Sequence, residues 1–237
     1  MTDRTTTRWR VLTWNVRGSH HPNLEVVAEV IEGYAPDVVS LQEVQRRQAR
    51  RLAKRLGWQH RWVRKHHPYS PLVWWRTEGL AVLSPWPLSH VVRTTISHGA
   101  STWTYRHRVL LATTVTRPDA AIRVYDTHLS SSHSDERIVQ ARRVAEHVAQ
   151  DVAPVPVVAG DLNTHPHDLV EIVREFHAAG LRDIGGDSTN PSIVPLQRLD
   201  MVLLPAHAVV VDRHTPDGGE QWSDISDHLP VHVEFDA

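Results

Sequence analysis

Polar residues stand at the ends of six short β-branched runs in this sequence. Each run predicts a strand, and a carboxylate, amide or imidazole at a strand end is held by the sheet yet open to a cleft. The side chains concerned are Asn15, Gln42, Glu43, His128, Asp161, Asn163, Arg198, Asp200, Ser226, Asp227 and His228. Carboxylate and amide oxygens without sulfur suit a hard cation. The pattern indicates a divalent-metal site, and the chemistry that we expect of it is hydrolysis of a phosphate ester.

Each of these motifs also has an ordinary structural explanation. Asp161 and Asn163, next to a glycine, form an Asp-x-Asn pattern that is typical of a turn. The interpretation as a site therefore depends on all six arrangements occurring in one chain. The 18 histidines allow a zinc enzyme as a rival, although the additional ones show no ligand spacing along a helix face.

The elements that must position these residues can be predicted from the pattern. Strands are predicted at residues 10–16, 37–41, 80–83, 109–115, 122–127, 155–159, 201–204 and 231–235. Helical spacing is predicted for residues 24–34 and 138–148, with Ser134 as the N-cap of the second helix, and for residues 44–56.

The order of the elements predicts the fold class. Residues 58–127 read as consecutive antiparallel strands, which argues against a purely parallel, doubly wound sheet. We expect one domain over residues 1–237, a two-sheet mixed β-sandwich flanked by helices in four layers. A length of 237 residues suits one core better than two.

Composition limits the setting of the protein. The chain contains no cysteine, which excludes disulfides and thiolate metal sites. No apolar run reaches the ~18 residues that cross a bilayer, and the first residues lack a secretion signal. We expect a soluble, cytoplasmic monomer.

Charge is distributed unevenly along the chain. Residues 1–118 hold 18 basic and 7 acidic residues, and residues 119–237 hold 8 basic and 20 acidic residues. One half could therefore attract phosphate while the other supplies metal ligands.

Seven motifs at these positions resemble those of a known family. They are TWNVRG (13–18), LQEV (41–44), EGLAVLS (78–84), DTHLS (126–130), GDLNTHP (160–166), RLDMVLL (198–204) and SDHLPV (226–231). In this order, and over nearly the whole chain, the sequence resembles the endonuclease/exonuclease/phosphatase superfamily. Its branches include pancreatic-type deoxyribonucleases, apurinic endonucleases, sphingomyelinases and inositol polyphosphate 5-phosphatases.

The resemblance implies a role for each matching residue. Glu43, Asn15 and Asp227 would hold Mg²⁺ or Mn²⁺, which polarises a phosphoryl oxygen and stabilises the leaving group. Asp161 would align or deprotonate the attacking water. Asn163 would donate hydrogen bonds to the phosphoryl oxygens.

Two imidazoles and an arginine complete the implied site. His228 would contact the scissile phosphate and pair with an acidic partner, for which Asp200 is the candidate. His128 would face the same phosphate, oriented by Glu78 as in the deoxyribonuclease branch. Arg108 would brace the site or bind phosphate, with an ordinary surface arginine as the alternative.

The sequence departs from its relatives in a few places. Asp126 stands where many relatives have Asn, and Arg106 stands where an acidic residue is common. The lysine and the Trp and Tyr pair of apurinic endonucleases are missing from the LQEV and RLDMVLL segments, which makes that branch a poor match. The chain is short for the superfamily, so large recognition insertions are excluded.

Substrate class is open at this point. A nucleic acid is the first choice, with the basic residues of 46–55 as a backbone contact or an ordinary solvated helix face, and with Trp74 and Trp75 as a stacking rim. A lipid or small-molecule phosphate ester is the alternative. A noncatalytic binding module with the same fold is a second alternative, and it conflicts with the complete set of acidic and imidazole residues.

Overall fold

Two β-sheets and five α-helices make up the computed structural model, which describes residues 6–65, 77–97, 107–152 and 154–237. The strands are β1 (Arg8–Asn15), β2 (Val38–Gln45), β3 (Gln59–Arg64), β4 (Glu78–Ser84), β5 (Leu88–Thr95), β6 (Val109–Thr116), β7 (Ala121–His128), β8 (Val155–Asp161), β9 (Leu181–Asp183), β10 (Asp200–Pro205), β11 (Val209–His214) and β12 (Val231–Asp236). The helices are α1 (Leu24–Tyr34), α2 (Arg46–Leu56), α3 (Ser134–Gln150), α4 (Leu169–Ala178) and α5 (Glu220–Ser223), with a 3-10 turn at Gly18–His20.

The strands form two mixed sheets that pack face to face. The first sheet has the order β11-β12-β1-β2-β4-β3, and the second has the order β5-β6-β7-β8-β10-β9. Buried side chains of both sheets fill the layer between them, among them Val11, Leu80, Val124, Val157 and Phe235. The sheets are therefore joined by an apolar core that neither could bury alone.

Helices cover the outer faces of both sheets. Helices α1 and α2 pack on the first sheet through Ile31 and Leu52, which are fully buried. Helices α3 and α4 pack on the second sheet through Val144 and Phe176. The predicted four-layer sandwich of two mixed sheets flanked by helices is confirmed.

One parallel pair lies near the centre of each sheet. Strands β1 and β2 are parallel and linked by α1, while β7 and β8 are parallel and linked by α3. Strands β10 and β12 run antiparallel to their neighbours β8 and β1. The starts of β10 and β12 consequently lie at the same edge as the ends of the parallel strands.

The predicted strands are present, and two helix predictions are corrected. Strand β2 continues to Gln45 because Val44 and Gln45 pair with β4 after a bulge, so the helix predicted from Val44 begins at Arg46. Ser134 is the first residue of α3, and His133 is its N-cap, without a side-chain cap. The Ser134 hydroxyl instead accepts from Arg137 and contacts His167.

Two further points concern the limits of the described chain. Trp74, Trp75 and Arg106, which the sequence singled out, lie outside the described residues. Among the residues that the structure does describe, no helix combines the length and apolar character needed to cross a bilayer.

Candidate active site

The polar strand ends of both sheets meet at one edge of the sandwich. In the register of the sheets, Asn15 lies beside Gln42, His128 lies beside Asp161, and Asp161 lies opposite Asp200. A hydrogen bond of 3.0 Å from the Asn15 amide to Asp161 Oδ2 joins the two sheets directly. The edge therefore brings together residues that are distant in the chain, such as Asn15 and Ser226, which are 211 positions apart.

Asp161 is the carboxylate on which these side chains converge. It is 1% exposed, and its Oδ2 lies 3.4 Å from His128 Nε2 and 4.0 Å from His228 Nε2. Its Oδ1 accepts from the backbone N–H of Asn163 at 3.0 Å. Burial raises the pKa of Asp161 to about 6, while His228 favours and Asp200 opposes its ionised form. A carboxylate with such a pKa can accept a proton near neutral pH.

His228 and Asp200 form a buried pair at the same edge. His228 Nδ1 lies 2.7 Å from Asp200 Oδ2, and both residues are at most 6% exposed. Burial by itself lowers the pKa of His228, but Asp200 and Asp161 together raise it to about 10. Thr189 also donates to Asp200 Oδ2, at 2.6 Å. The imidazole is thus held as a cation with Nε2 directed toward Asp161, where it can donate to an anionic group.

His128 is held between Asp161 and a lysine. Lys65, 6% exposed, places Nζ 3.1 Å from His128 Nδ1 and 3.4 Å from Glu43 Oε1. Burial lowers the pKa of Lys65 to about 8; Arg108 adds to the effect and Glu43 opposes it. Lys65 was not predicted as a site residue, because it follows β3 without any motif of its own.

Glu43 lies at an irregular point of β2. The register between β2 and β4 shifts between Leu41 and Val44, and Glu43 has a φ of 55°, in the left-handed region that a non-glycine residue seldom adopts. The bulge leaves the Glu43 side chain 23% exposed while its neighbours Gln42 and Val44 are buried. The strand thereby directs one carboxylate out of the sheet and into the cleft.

The segment after β8 carries Asn163. Asn163 has a φ of 49°, and its side-chain amide donates to the carbonyl of Leu129 at 3.0 Å. This bond fixes the amide against the segment that follows His128. One N–H of the amide is therefore held by protein, and the second is the one that a substrate oxygen would use.

Three of the predicted residues have other contacts in the structure. Asp227 forms an ion pair of 3.1 Å with Arg17 at the rim of the site. Glu78 accepts from the backbone N–H of Ser19 at 3.1 Å, and Lys65 stands at the Nδ1 of His128 where the resemblance had implied Glu78. Arg108 is 8% exposed rather than a surface residue. It donates to the carbonyl of His128 at 3.4 Å, which braces the site.

Asp126 supports the site from inside the sandwich. Its Oδ1 accepts from Gln42 at 2.7 Å across the two sheets, and its Oδ2 has no hydrogen-bond partner among the described residues. Complete burial raises the pKa of Asp126 well above its usual value. A carboxyl kept neutral in this way satisfies Gln42 with less cost than a buried charge.

The residues of the edge fit a divalent metal ion. One oxygen from each of Asp161 and Asp200 and one nitrogen of His228 lie within 4.8 Å of one another. Because protonated imidazole has no lone pair for a metal, the cationic His228 is a hydrogen-bond donor, and the carboxylates are the better ligands. Asp200 Oδ1 is buried without a partner among the described residues. Glu43 adds a third carboxylate, whose charge also disfavours ionisation of Asp161.

The family model for the endonuclease/exonuclease/phosphatase family matches residues 12–228. No curated protein matches the chain. The chain belongs to this family, whose members are hydrolases acting on phosphoesters, and hydrolysis of a phosphoester is its reaction class.

Solved structures of the same fold cover almost the whole chain. An endonuclease/exonuclease/phosphatase from Beutenbergia cavernae DSM 12333 is 24% identical, with a TM-score of 0.75 over 96% of this chain and 71% of that one. ANGEL2, a 2',3'-cyclic phosphatase, is 16% identical, with a TM-score of 0.74 over 98% and 96%. A mannosyl-6-phosphatase of Bacteroides thetaiotaomicron is also 16% identical, with a TM-score of 0.73 over 96% and 99%. At these identities the likeness is one of fold.

Proposed function

We propose that this protein hydrolyses a phosphodiester, with Mg²⁺ or Mn²⁺ as cofactor and Asp161 as the residue that activates water. The observation that carries the proposal is the contact of one buried carboxylate with two imidazoles and an amide. Asp161 Oδ2 lies 3.0 Å from Asn15 Nδ2, 3.4 Å from His128 Nε2 and 4.0 Å from His228 Nε2. A base next to several donors is the arrangement that in-line attack on an anionic phosphorus requires.

Each residue of the site has a separate role in the proposed reaction. Asp161 takes the proton of the attacking water, and its pKa of about 6 leaves it ionised at neutral pH. His228, held by Asp200, donates to a phosphoryl oxygen and offsets the negative charge that develops there. His128 and Asn163 supply further donors on the same side. A divalent ion, when bound, supplies Lewis-acid stabilisation of the phosphoryl and leaving-group oxygens.

We assign the ion to oxygen ligands at this edge, with the Glu43 carboxylate and the Asn15 amide first and the Asp161 and Asp200 carboxylates adjacent. Asp227 stays in the proposal as an outer ligand that would have to leave Arg17. The oxygen-only set favours Mg²⁺ or Mn²⁺ over Zn²⁺.

A polynucleotide is the first candidate substrate. A phosphomonoester or cyclic phosphate is the second, favoured by relatives of this fold whose names describe a 2',3'-cyclic phosphatase and a mannosyl-6-phosphatase. A panel of plasmid DNA, RNA, bis(4-nitrophenyl) phosphate, a 2',3'-cyclic nucleotide, 4-nitrophenyl phosphate and sphingomyelin, each with Mg²⁺, Mn²⁺, Zn²⁺ or EDTA, separates these possibilities. Activity on the diesters with Mg²⁺ or Mn²⁺ is expected, and activity restricted to monoesters or to Zn²⁺ contradicts the proposal.

Two variants test the assigned roles. Asp161→Asn should lower kcat by about 10²- to 10⁴-fold, the usual contribution of a general base. Glu43→Gln removes a carboxylate from the proposed ion site and should lower activity at a fixed Mg²⁺ concentration. The circular dichroism spectrum of both variants should be unchanged. Glu171→Gln, which removes an exposed carboxylate from α4, is the matched control and should keep full activity. Wild-type turnover by either site variant would show that the roles are assigned wrongly.

A further inference from the structure

Helix α2 carries a face of exposed cations that lack acidic partners. The α2 basic face consists of Arg46, Arg47, Arg50, Arg51 and Lys54. No hydrogen bond or ion pair to a carboxylate involves any of them among the described residues. Only Arg55 at the end of the helix is paired, with Glu25 and Glu32 at 2.9 Å.

Several arginines elsewhere in the described chain are paired with carboxylates. Arg8 contacts Glu234 and Asp236, Arg142 contacts Glu175, and Arg198 contacts Asp183. On the α2 basic face, by contrast, like charges stand four residues apart, as in Arg46 and Arg50 or Arg47 and Arg51. Such pairs repel each other and destabilise a helix. The α2 basic face thus concentrates five exposed cations without a carboxylate partner among the described residues, and an external anion would offset their mutual repulsion.

The positive potential extends from α2 to the adjacent edge strand. His60 on β3 has a lowered pKa because of its partial burial and then the charges of Arg61, Arg46 and Arg50. Three arginines of two different elements therefore act on one imidazole. Basic side chains of α2 and β3 therefore lie close to one another.

A groove lies between the α2 basic face and the segment that leads into α1. It encloses about 380 Å³ and is lined by Arg47 and Arg51 on the α2 side and by His21 and Asn23 before α1. Its one acidic lining residue, Glu25, is already paired with Arg55. The groove is thus concave, polar and positively charged.

The groove and the candidate active site are linked by Gly18 and Ser19. Its floor includes Gln45, two residues after Glu43, and Gln48. Both glutamines donate to the carbonyl of Gly18, and the neighbouring Ser19 N–H donates to Glu78 at the site. The same short segment therefore contacts both the groove lining and the site residue Glu78.

We propose that the α2 basic face and its groove form a second anion site, which binds the phosphodiester backbone of a polynucleotide whose scissile phosphate lies at Asp161. At 1.5 Å per residue, Arg46 to Lys54 span about 12 Å, which matches three to four charges of a strand with one per ~3.4 Å. The site recognises the charge of the backbone phosphates and makes no contact that depends on base identity. This inference rests on the proposed hydrolase function and adds to it the class of substrate.

Binding to a fluorescent 20-nucleotide DNA and RNA strand, measured by anisotropy in EDTA, tests the site without cleavage. Arg47→Gln/Arg51→Gln is compared with Arg142→Gln/Arg174→Gln, which removes the same charge from α3 and α4. The first variant should raise Kd about tenfold or more and lower the salt slope by roughly 1.4, two contacts at ~0.7 each for a single strand. The control should bind as the wild type does.

Activity measurements separate the failure of this inference from the failure of the proposed function. In Arg47→Gln/Arg51→Gln, the ratio of kcat/KM for the oligonucleotide to kcat/KM for bis(4-nitrophenyl) phosphate should fall about tenfold. Hydrolysis of the small diester by a wild type that does not bind the oligonucleotide, or equal binding by both double variants, overturns the α2 site and leaves the hydrolase proposal standing. Binding to phosphatidylserine vesicles in place of the oligonucleotide also overturns it. Binding that depends on Arg47 and Arg51, without hydrolysis of any ester, supports the site and rejects the hydrolase.

Discussion

A buried ion pair behind the site gives a stability prediction whose size follows from the structure. Arg137 on α3 and Asp168 before α4 are 2% and 1% exposed, and Arg137 Nε lies 2.7 Å from Asp168 Oδ2. Arg137 also donates to the carbonyl of Ser130 at 3.1 Å, and Asp168 Oδ1 accepts from the backbone N–H of His165 at 2.8 Å. The pair clamps the segment that follows β8 against α3.

Replacing only the cation should be costly. Arg137→Met leaves a buried carboxylate without its partner, a change that typically costs about 3–5 kcal/mol. In a domain of this length each kcal/mol lowers Tm by about 2–4 °C, so a fall of roughly 6–20 °C is expected. Arg137→Met/Asp168→Leu removes both charges and should recover most of the loss, apart from ~1 kcal/mol for the bond to His165.

Urea unfolding at pH 7 in EDTA measures these differences, with Arg142→Met as the control. The pair of Arg142 with Glu175 is exposed on the arginine side, with 51% of that side chain accessible, and should contribute less than ~1 kcal/mol. A loss below about 1 kcal/mol in Arg137→Met, or a double variant less stable than the single one, would refute the reasoning.

The pH dependence of the same pair has a definite sign. Burial alone raises the pKa of Asp168, but the His165 N–H and Arg137 lower it below 3.8. A carboxyl with a depressed pKa stabilises the fold above its unfolded pKa, and the stabilisation is lost as the pH falls through the folded value. The difference in stability between the wild type and the double variant should therefore be constant above about pH 5 and shrink in more acidic buffer.

Three further predictions concern other parts of the chain. Lys65→Met should bind Mn²⁺ about three- to tenfold more tightly, on the order of 1 kcal/mol. The reason is that the ammonium 3.4 Å from Glu43 no longer competes for that carboxylate. A titration followed by electron paramagnetic resonance measures the affinity, and weaker binding contradicts the reasoning. In metal-free buffer, His228 stabilises the fold fully below pH 6.5 and loses this effect as the pH rises through about 10, so Tm should fall more steeply over this range in the wild type than in His228→Gln. On helix α1, Gly33→Ala places a methyl group where no atom lies within 4 Å. The substitution should raise the free energy of unfolding, measured in urea, by about 0.5–1 kcal/mol. A loss of stability would show strain that the backbone does not reveal.

Strand-end residues could be predicted from the sequence because their position depends on local pattern alone. A β-branched run followed by Asn15, His128 or Asp161 places each residue at a strand end, whichever strand lies beside it. The parallel pairs and the reversed β10 and β12 then collect these ends at one edge. The fold class was accessible for the same reason, since alternating runs and helical spacing decide the layers.

Contacts that depend on register between distant strands were not accessible. Lys65 reaches His128 because β3 pairs with β4, with Arg64 opposite Gly79, and no local signal reports that pairing. The bulge at Glu43 shortened the predicted helix because strand pairing continued past it. Asp227 shares a motif with His228, yet its neighbour Arg17 comes from the other end of the chain.

The amide of Asn15 spans the gap between the two sheets and ends on the carboxylate of Asp161. The distance between this amide and this carboxylate consequently depends on how the two sheets are positioned against each other. With Asp161 acting as proposed, a substitution in the apolar layer that shifts one sheet by a fraction of an ångström will lower kcat. The same substitution will leave most of the free energy of unfolding unchanged. The rate of turnover would then report on how the apolar layer between the two sheets is packed.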